Sequence, residues 1–426
     1  MGLSYPIDIQ AFKTAFSNSI MFKNPRFCSL IVRDNNGTKN HWKRTCINID
    51  DHFIIHQNTT IVKTDLEIED GDDKEAAINS FLAEISVSTP LNENKPLWEL
   101  HVLMDLNCVV LRVHHSLGDG VSLMSLLSSC FCPKNEIISE GRKKGIWKLI
   151  KSLWLTIVFI LRLLGRILWV KDKVSVVSGG DGVELWPRKL VTAKFMLEDL
   201  KSIKLAIPNA TINDVLLGII SSGLSKYIDI KSPMALHQTL QLTAIIPVNL
   251  RKYPYLQKMS ELVTNSNSGL SGWGNKTSII LLPIKCLNGL NALEHVRALK
   301  ATMDKKKHSY VAYFGFRIVQ FLVSYVSPKV GCWCFRKIIR NTTLVISNIK
   351  GPSERMVIAD NLVTFMKVNV SSIPHAITVH MVSYAGMVNL QVMVAKDIIS
   401  DPEILVEYFQ DSFLKLKNSI KMNNQV

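Results

Sequence analysis

Acidic residues are the scarce ones in this chain. Asp and Glu total 35 against 50 Lys and Arg, which leaves 426 residues with a formal net charge of +15. That deficit argues against a cationic partner and favours an anionic one: a lipid surface, a phosphorylated ligand or nucleic acid. Nucleic acid is set aside, because zinc-finger spacing, an Arg-rich arm and the basic-aromatic motifs of RNA-binding modules are all missing. Cysteine is sparse as well. There are eight, and Cys130/Cys132 and Cys332/Cys334 stand at C-x-C rather than C-x-x-C, which excludes the common redox and zinc patterns. Reduced thiols in a cytosol-facing protein are expected. The N-terminal "MGLSYPIDIQAFKTAF" lacks the basic-then-apolar pattern of a secretory signal. Gly2 is a poor myristoylation site, with no Ser or Thr at the sixth position.

Two catalytic signatures are also missing. No H-E-x-x-H occurs, and no second His/Cys cluster completes a shell, so no metal is expected. No G-x-S-x-G elbow occurs either; "GLSGW" at 269–273 only resembles one.

What is present is a folded protein. Hydrophobic residues make up 47% and charged residues 20%, and the length suffices for two or three ordinary domains. "DIQAFKTAFSNSIMF" has helical spacing at Ile9, Phe12, Phe16 and Ile20, and "FCSLIV" reads as a short strand. "DKEAAINSFLAEISV" is a second amphipathic helix, followed by "PLWELHVLM" and the strand "CVVLRV". Residues 147–170, "WKLIKSLWLTIVFILRLLGRILWV", are the most apolar segment. Arg162 and Arg166 argue against a simple span, since an arginine near mid-membrane costs roughly 2.5–3.5 kcal/mol. With Lys144, Lys148 and Lys151 they predict a basic stripe facing lipid headgroups, anchored by Trp147, Trp154 and Trp169. Gly179, Gly180, Gly182 and Pro187 then mark a connection, which places a domain boundary near residue 185: 1–185 and 186–426. In the second half Thr211 and Asp214 have capping-box spacing ahead of the stripe Val215, Ile219 and Leu224. Strand-like runs follow ("LQLTAIIPVNL", "TSIILLPI", "NTTLVISNI", "AITVHMVSY", "VNLQVMVA"), and "DPEILVEYFQDSFLKLK" closes as an amphipathic helix. Helices alternating with strands in both halves predict a two-domain α/β protein.

The chemistry concentrates in "VVLRVHHSLGDGVSLMSLL", residues 109–127. Neighbouring side chains of an extended segment point to opposite faces, so His114 and His115 do not grip one ion together. A general base fits better. Imidazole titrates near neutrality and takes a proton from a weakly acidic hydroxyl, while Gly118 and Gly120 allow a sharp turn that brings Asp119 back across the loop. For an arbitrary His-His pair, a buried histidine stabilising a turn is the commoner outcome. Four fixed positions at about one in twenty each recur by chance in well under one per cent of such chains, and H-H-x-x-x-D-G is such a pattern.

That pattern resembles the signature of acyltransferases of the chloramphenicol-acetyltransferase-like superfamily. Further stretches narrow the resemblance: "NPRFCSLIV", "NIDDHF" and "PLWELHVL" before it, and "TINDVLLGIISSGLSKY", "GWGNKTSIILLPI", "RALKATMDKKK", "SNIKGPSERM" and "PHAITVHMVSY" after it. Together they resemble the plant wax ester synthase/diacylglycerol acyltransferase family over nearly the whole chain. The resemblance implies two acyltransferase domains, each a mixed sheet with flanking helices, and a tunnel between them. It implies acyl-CoA and a long-chain alcohol as substrates, with diacylglycerol as a second acceptor, no cofactor, and attachment to the cytosolic face of the endoplasmic reticulum membrane, with the plasma membrane as a second location. His115 falls on the family's proton acceptor, with His114 packing or orienting, Asp119 structural and Gly120 completing the turn. Pro96, Leu97 and Trp98 match its P-L-W element, and Asn213 and Asp214 its N-D element. Ser347, Asn348, Gly351 and Pro352 match a further element. Ser347, Asn348 and Trp98 are the candidates for substrate or oxyanion contact.

One departure is noted. The family carries a longer segment before "PIDIQAFKTAF", with a first strand that helps build the sheet; here that portion is missing or very short, which implies exposed strand edges. Two alternatives therefore stay open beside the lipid acyltransferase: a weakened or non-catalytic protein that binds lipid or acyl-CoA, and an acyltransferase for a soluble alcohol. The second shares only H-x-x-x-D-G and carries a D-F-G-W-G element absent here.

Overall fold

In a computed structural model the chain builds two lobes, each around a six-stranded mixed sheet. The structure describes residues 1–34, 40–57, 70–132, 147–233, 240–251, 272–287, 289–307 and 311–423. Elements are numbered in chain order. The first sheet has the order β11-β12-β1-β6-β5-β4, formed by β1 (Gly2–Leu3), β4 (Phe53–His56), β5 (Trp98–Leu103), β6 (Cys108–Val113), β11 (Val357–Ile358) and β12 (Asn361–Phe365). The second has the order β7-β14-β13-β10-β8-β9, formed by β7 (Arg188–Met196), β8 (Gln241–Asn249), β9 (Thr277–Lys285), β10 (Leu344–Lys350), β13 (Ile377–Tyr384) and β14 (Met387–Ala395). A small ribbon joins β2 (Ser29–Arg33) to β3 (Asn40–Arg44).

The halves of the chain do not map one to one onto the sheets. β11 and β12 lie far into the C-terminal half, yet they pair into the first sheet. Strand β1 is only two residues long and sits inside that sheet, between β12 and β6. Gly2 suits this place because a Cβ there would lie 2.0 Å from the Phe365 ring.

Ten α-helices flank the sheets among the described residues. α1 (Ile9–Ser17) buries Phe12 and Phe16 and starts on Asp8, which accepts from the backbone N–H groups of Gln10 and Ala11. The helical spacing through Ile20 does not continue: Ile20–Lys23 is a separate 3-10 turn capped by Ser19. α3 (Gly120–Phe131) belongs to the first lobe, while α2 (Asp70–Val87) bridges the two, with Ala77 and Ile78 on Leu103 and Cys108 of the first sheet and Ala83 on Leu190 and Met393 of the second. In the second lobe, α5 (Leu197–Leu205), α6 (Ile212–Lys231), α7 (Ala292–Lys307) and α10 (Pro402–Asn423) cover one face of the sheet. α6 is buried nearly all round; Gly218 lets Val296 of α7 approach and Gly223 lets Phe409 of α10 approach. β13 and β14 are buried on both faces, which explains why they read as continuous apolar runs.

The other face of the second sheet is shared. The first lobe covers part of it through Ile349, Val382 and Tyr384. α4 (Trp147–Leu168), α8 (Val311–Phe321) and α9 (Pro328–Arg340) cover another part by packing Phe159, Val311 and Ile338 on Ile245, Leu281 and Val345, and the π-helical turn Leu322–Val326 links α8 to α9. Among the described residues no helix is long and apolar enough to cross a membrane.

The segment 147–170 exposes Trp154, Trp169 and Arg162 as expected, but not Arg166. Arg166 points inward: it donates to the Asn341 carbonyl and to Thr243 Oγ1 at 2.6 Å, and pairs with Asp172 at 2.7 Å. Trp154, Ile157, Leu161, Leu164, Leu168 and Trp169 are exposed instead. Arg162 does stay on the surface. Lys144 lies outside the described residues, as do the side chains of Trp147, Lys148 and Lys151.

Candidate active site

The apolar residues of β5 and β6 deliver the histidine pair to the edge of the seam between the lobes. β6 ends at Val113, and the chain turns through His114 and His115 to Asp119, the N-cap of α3. The His114 N–H bonds the Leu97 carbonyl at 2.9 Å and the Leu117 N–H closes a turn onto the His114 carbonyl at 3.0 Å.

The next three carbonyls are each held by a side chain from elsewhere. Asn275 Nδ2 donates to His115 O at 3.0 Å, Arg26 Nη1 to Ser116 O at 3.0 Å, and Trp273 Nε1 to Leu117 O at 2.6 Å. Two of those donors come from the stretch just before β9, so the second lobe clamps the loop of the first. The His115 ring itself is exposed and makes no hydrogen bond to a described residue. A fixed backbone carrying an accessible ring suits a group that must meet a substrate.

His114 is occupied. Its Nδ1 accepts from Ser116 Oγ at 2.7 Å and from the Ser116 N–H at 3.3 Å, which leaves the proton on Nε2. Burial, then the neighbouring His115, hold its pKa below the ordinary imidazole value.

Asp119 faces away from both rings. Its Oδ1 accepts from the Ser122 N–H at 2.9 Å. Its Oδ2 accepts from Arg251 Nη1 at 2.9 Å, the Lys276 N–H at 2.8 Å and Thr277 Oγ1 at 2.9 Å. Burial raises the carboxyl's pKa, but Arg251 and the backbone donors outweigh it and leave it below the usual carboxylate value. Arg251 also donates to Ser122 Oγ at 2.7 Å and to Gly274 O at 2.6 Å. The result is a buried knot between the lobes.

Gly118 and Gly120 act through space, not through unusual backbone angles. Neither has a positive φ. A Cβ at Gly118 would lie 3.2 Å from Trp273, and one at Gly120 would lie 2.4 Å from Ile349 Cδ1. The expected sharp glycine turn is therefore replaced by close packing against the second lobe.

Ile349 marks the end of β10, which brings Ser347 and Asn348 to the same region. Asn348 Nδ2 donates to Asn213 Oδ1 at 3.0 Å, so these two candidates meet. Asp214 does not join them: it completes the capping box of α6, its Oδ2 accepting from the Thr211 N–H at 2.9 Å and Thr211 Oγ1 at 2.7 Å. Ser347 is half-buried, beside His380 across the ladder.

Trp98 does not reach the site. It is fully buried, stacks on His52 with ring centroids 3.9 Å apart, and donates its only N–H to Phe27 O at 3.1 Å. An indole with its donor committed in the core is not a substrate or oxyanion contact, which corrects the sequence expectation. Arg251, Trp273, Asn275 and Arg26 were not singled out from the sequence. Arg26 stands in "NPRFCSLIV" and Trp273 and Asn275 in "GWGNKTSIILLPI", two of the stretches that carry the family resemblance, but nothing in them marked those side chains as partners of the histidine loop.

A surface cavity of about 450 Å³, lined by Lys226, His295, Asp411 and Lys415 among others, lies among α6, α7 and α10. It contains none of the loop residues and is not the inter-lobe tunnel expected from the sequence. Among the described residues no group of three His, Cys, Asp or Glu converges as a metal site would require.

Known proteins share both the signature region and the architecture. The wax ester synthase/diacylglycerol acyltransferase catalytic domain matches residues 79–138, and the C-terminal domain of the same family matches 273–417. Wax ester synthase/diacylglycerol acyltransferase 11 of Arabidopsis thaliana is 29% identical, with 94% of this chain and 87% of that protein aligned. Number 4 of the same plant is 26% identical over 99% and 86%. The solved wax ester synthase/diacylglycerol acyltransferase of Marinobacter aquaeolei VT8 superposes with a TM-score of 0.58 at 16% identity, covering 98% of this chain and 93% of that one. The trichothecene 15-O-acetyltransferase of Fusarium sporotrichioides has the same fold, with a TM-score of 0.59 at 13% identity, covering 97% and 88%. Two family domains in the right order, relatives aligned almost end to end and a shared two-sheet architecture place this chain in the wax ester synthase/diacylglycerol acyltransferase family, as an acyltransferase.

Proposed function

We propose that the chain transfers a fatty acyl group from acyl-CoA to the hydroxyl of a long-chain alcohol, with diacylglycerol as a second acceptor, and that His115 is the general base. The observation that carries this reading is the His115 loop: an accessible imidazole on a backbone whose carbonyls are fixed by Asn275, Arg26 and Trp273. The imidazole takes the hydroxyl proton as the alcohol oxygen forms its bond to the thioester carbonyl carbon. The tetrahedral oxyanion is met by donors at the end of β10, to which we assign Ser347 or Asn348. Collapse breaks the C–S bond, and the imidazolium returns the proton to the departing thiolate. Ester and free coenzyme A leave, with no covalent acyl-enzyme, metal or cofactor in the scheme. Asp119 and Arg251 hold the loop and do not touch the reacting atoms; His114 orients it through Ser116.

The acceptor we assign is lipid-like, not soluble, because the exposed face of α4 is apolar. Placement at the cytosolic face of the endoplasmic reticulum, with the plasma membrane as a second location, rests on the family resemblance alone.

His115→Ala tests the base. Ester formation from palmitoyl-CoA and hexadecanol should fall by about 10²–10⁴-fold, while the unfolding midpoint holds, since the ring is exposed. A folded His115→Ala protein with undiminished turnover would remove the proposed base. Binding of acyl-CoA by the unaltered protein, without turnover on any alcohol, would favour the non-catalytic alternative.

A further inference from the structure

We infer that His380 binds the acyl donor: its ring nitrogens pair with the amides of the pantetheine arm of acyl-CoA while the thioester lies at Ser347. The inference rests on the acyltransferase reading above and deepens it, by naming which substrate the second sheet grips and through which atoms.

Three observations converge. The first is place. Ile377, Val379 and Met381 of β13 turn to the helices of the second lobe. By alternation Thr378, His380, Val382 and Tyr384 share the opposite face, where Val382 and Tyr384 pack against the first lobe. His380 is the ladder partner of Ser347, and the next pair on that face is Val382 with Ile349, the residue against Gly120. The Ser347–His380 pair therefore stands roughly 7 Å along the strands from the packing beneath the start of α3. The second observation is that the ring is buried and idle. It is 2% exposed, and neither Nδ1 nor Nε2 has a partner among the described residues. Burial brings its pKa down to about 4, so near pH 7 the ring presents one N–H and one lone pair. Leaving both unmet in the interior is costly, and a leucine would fill the place without that cost.

The third observation is chemical fit. A ring with one donor and one acceptor asks for a ligand that supplies both. Acyl chains supply neither, the ester carbonyls of diacylglycerol only accept, and the acceptor's hydroxyl is committed to His115. The amides of the pantetheine arm carry both N–H and C=O. Neighbouring strands stand about 4.8 Å apart, close to the reach of the sulfur and two methylenes that separate the thioester carbonyl from the first amide. A buried ring meets a substrate only where its cover lifts, and the cover here is irregular chain. Residues 366–375 lie along β14 outside any helix or strand. They are tied down by Asn389 Nδ2, which donates to the Met366 carbonyl at 3.0 Å, and by Asn369, which donates to Gln391, the partner of His380 in the β13–β14 ladder. Asn369 Oδ1 and Thr378 Oγ1 on the same patch also lack partners among the described residues. On the β10 side the margin is Ser347, which is half-buried.

Ester formation with hexadecanol, measured on two dodecanoyl donors, decides this: the pantetheine thioester, which carries both amides, and a simple alkyl thioester, which carries none. The unaltered protein should use the first with a kcat/KM about tenfold or more above the second. His380→Leu should lose that preference, with the KM for hexadecanol unchanged and an unfolding midpoint at or above the parent's, since no unmet nitrogen is left behind. His380→Gln, whose side-chain amide also donates and accepts, should keep most of it. An unaltered protein indifferent to the amides overturns the inference while leaving the acyltransfer intact. So does a His380→Leu protein that keeps the parent's preference, or one in which only the KM for hexadecanol rises. If no thioester yields ester, the acyltransferase chemistry fails instead, and calorimetric titration with coenzyme A reads His380 alone. Binding about tenfold weaker in His380→Leu than in the parent supports its role; equal binding overturns it.

Discussion

Replacing Arg251 with Met removes the cation at the centre of the inter-lobe knot while keeping most of the side chain's volume. The Arg251 side chain is 1% exposed and its partner Asp119 4%, so water cannot take over the lost contacts. Removing one partner of a buried pair costs about 3–5 kcal/mol, because the other charge stays behind. The cost should depend on pH, and the sign follows from Asp119. In the parent protein burial raises its pKa, but Arg251 and the backbone donors bring it below the normal carboxylate value. That pair therefore contributes stability present above the unfolded pKa of about 3.9 and lost as pH falls through the folded one. Without Arg251, burial dominates and the folded-state pKa rises, so the variant loses stability as pH climbs. The gap between parent and variant should widen from pH 4.5 to pH 7. Urea unfolding followed by tryptophan fluorescence at both pH values measures it, and ester formation should fall with the loosened loop. A gap under about 1 kcal/mol at pH 7, or one that does not widen, would refute the reasoning.

Three further outcomes follow from the packing. Gly351→Ala should destabilise by about 1–3 kcal/mol, because a Cβ there would lie 2.4 Å from the Ser383 carbonyl oxygen. Gly120→Ala should cost less, since its neighbour at the same distance is the flexible end of Ile349; urea midpoints in the opposite order would contradict this. Trp98→Phe should cost about 1–3 kcal/mol by leaving Phe27 O unpaired, with the KM for acyl-CoA unchanged. A raised KM in a fully stable Trp98→Phe protein would return the indole to the substrate site.

The histidine loop was legible in the sequence because its chemistry is local. A strand, a His-His pair and an N-capping Asp occupy a dozen residues, and their spacing alone predicts strand, turn and helix. The partners of that loop were not legible. Arg251, Trp273 and Asn275 stand over 130 residues away, and only the meeting of the two sheets brings them to it. Arg166 misled for a related reason. Periodicity shows that an arginine shares a helix face, but not that Asp172, Thr243 and the Asn341 carbonyl wait beneath it. The helices at 311–340 drew no attention because periodicity reports a face without saying which side is wet. β11 and β12 are too short to show alternation, so nothing in the sequence announced that they leave their own half of the chain.

That excursion has a consequence for synthesis. The inner strand of the first sheet, Gly2–Leu3, is paired on one side by β12, which ends at Phe365. At a translation rate of roughly 5–20 residues per second, about 10–50 s separate the emergence of β6 from that of β12. Throughout that interval the nascent first lobe presents an open edge to solvent, and it can close only when the second lobe is nearly complete.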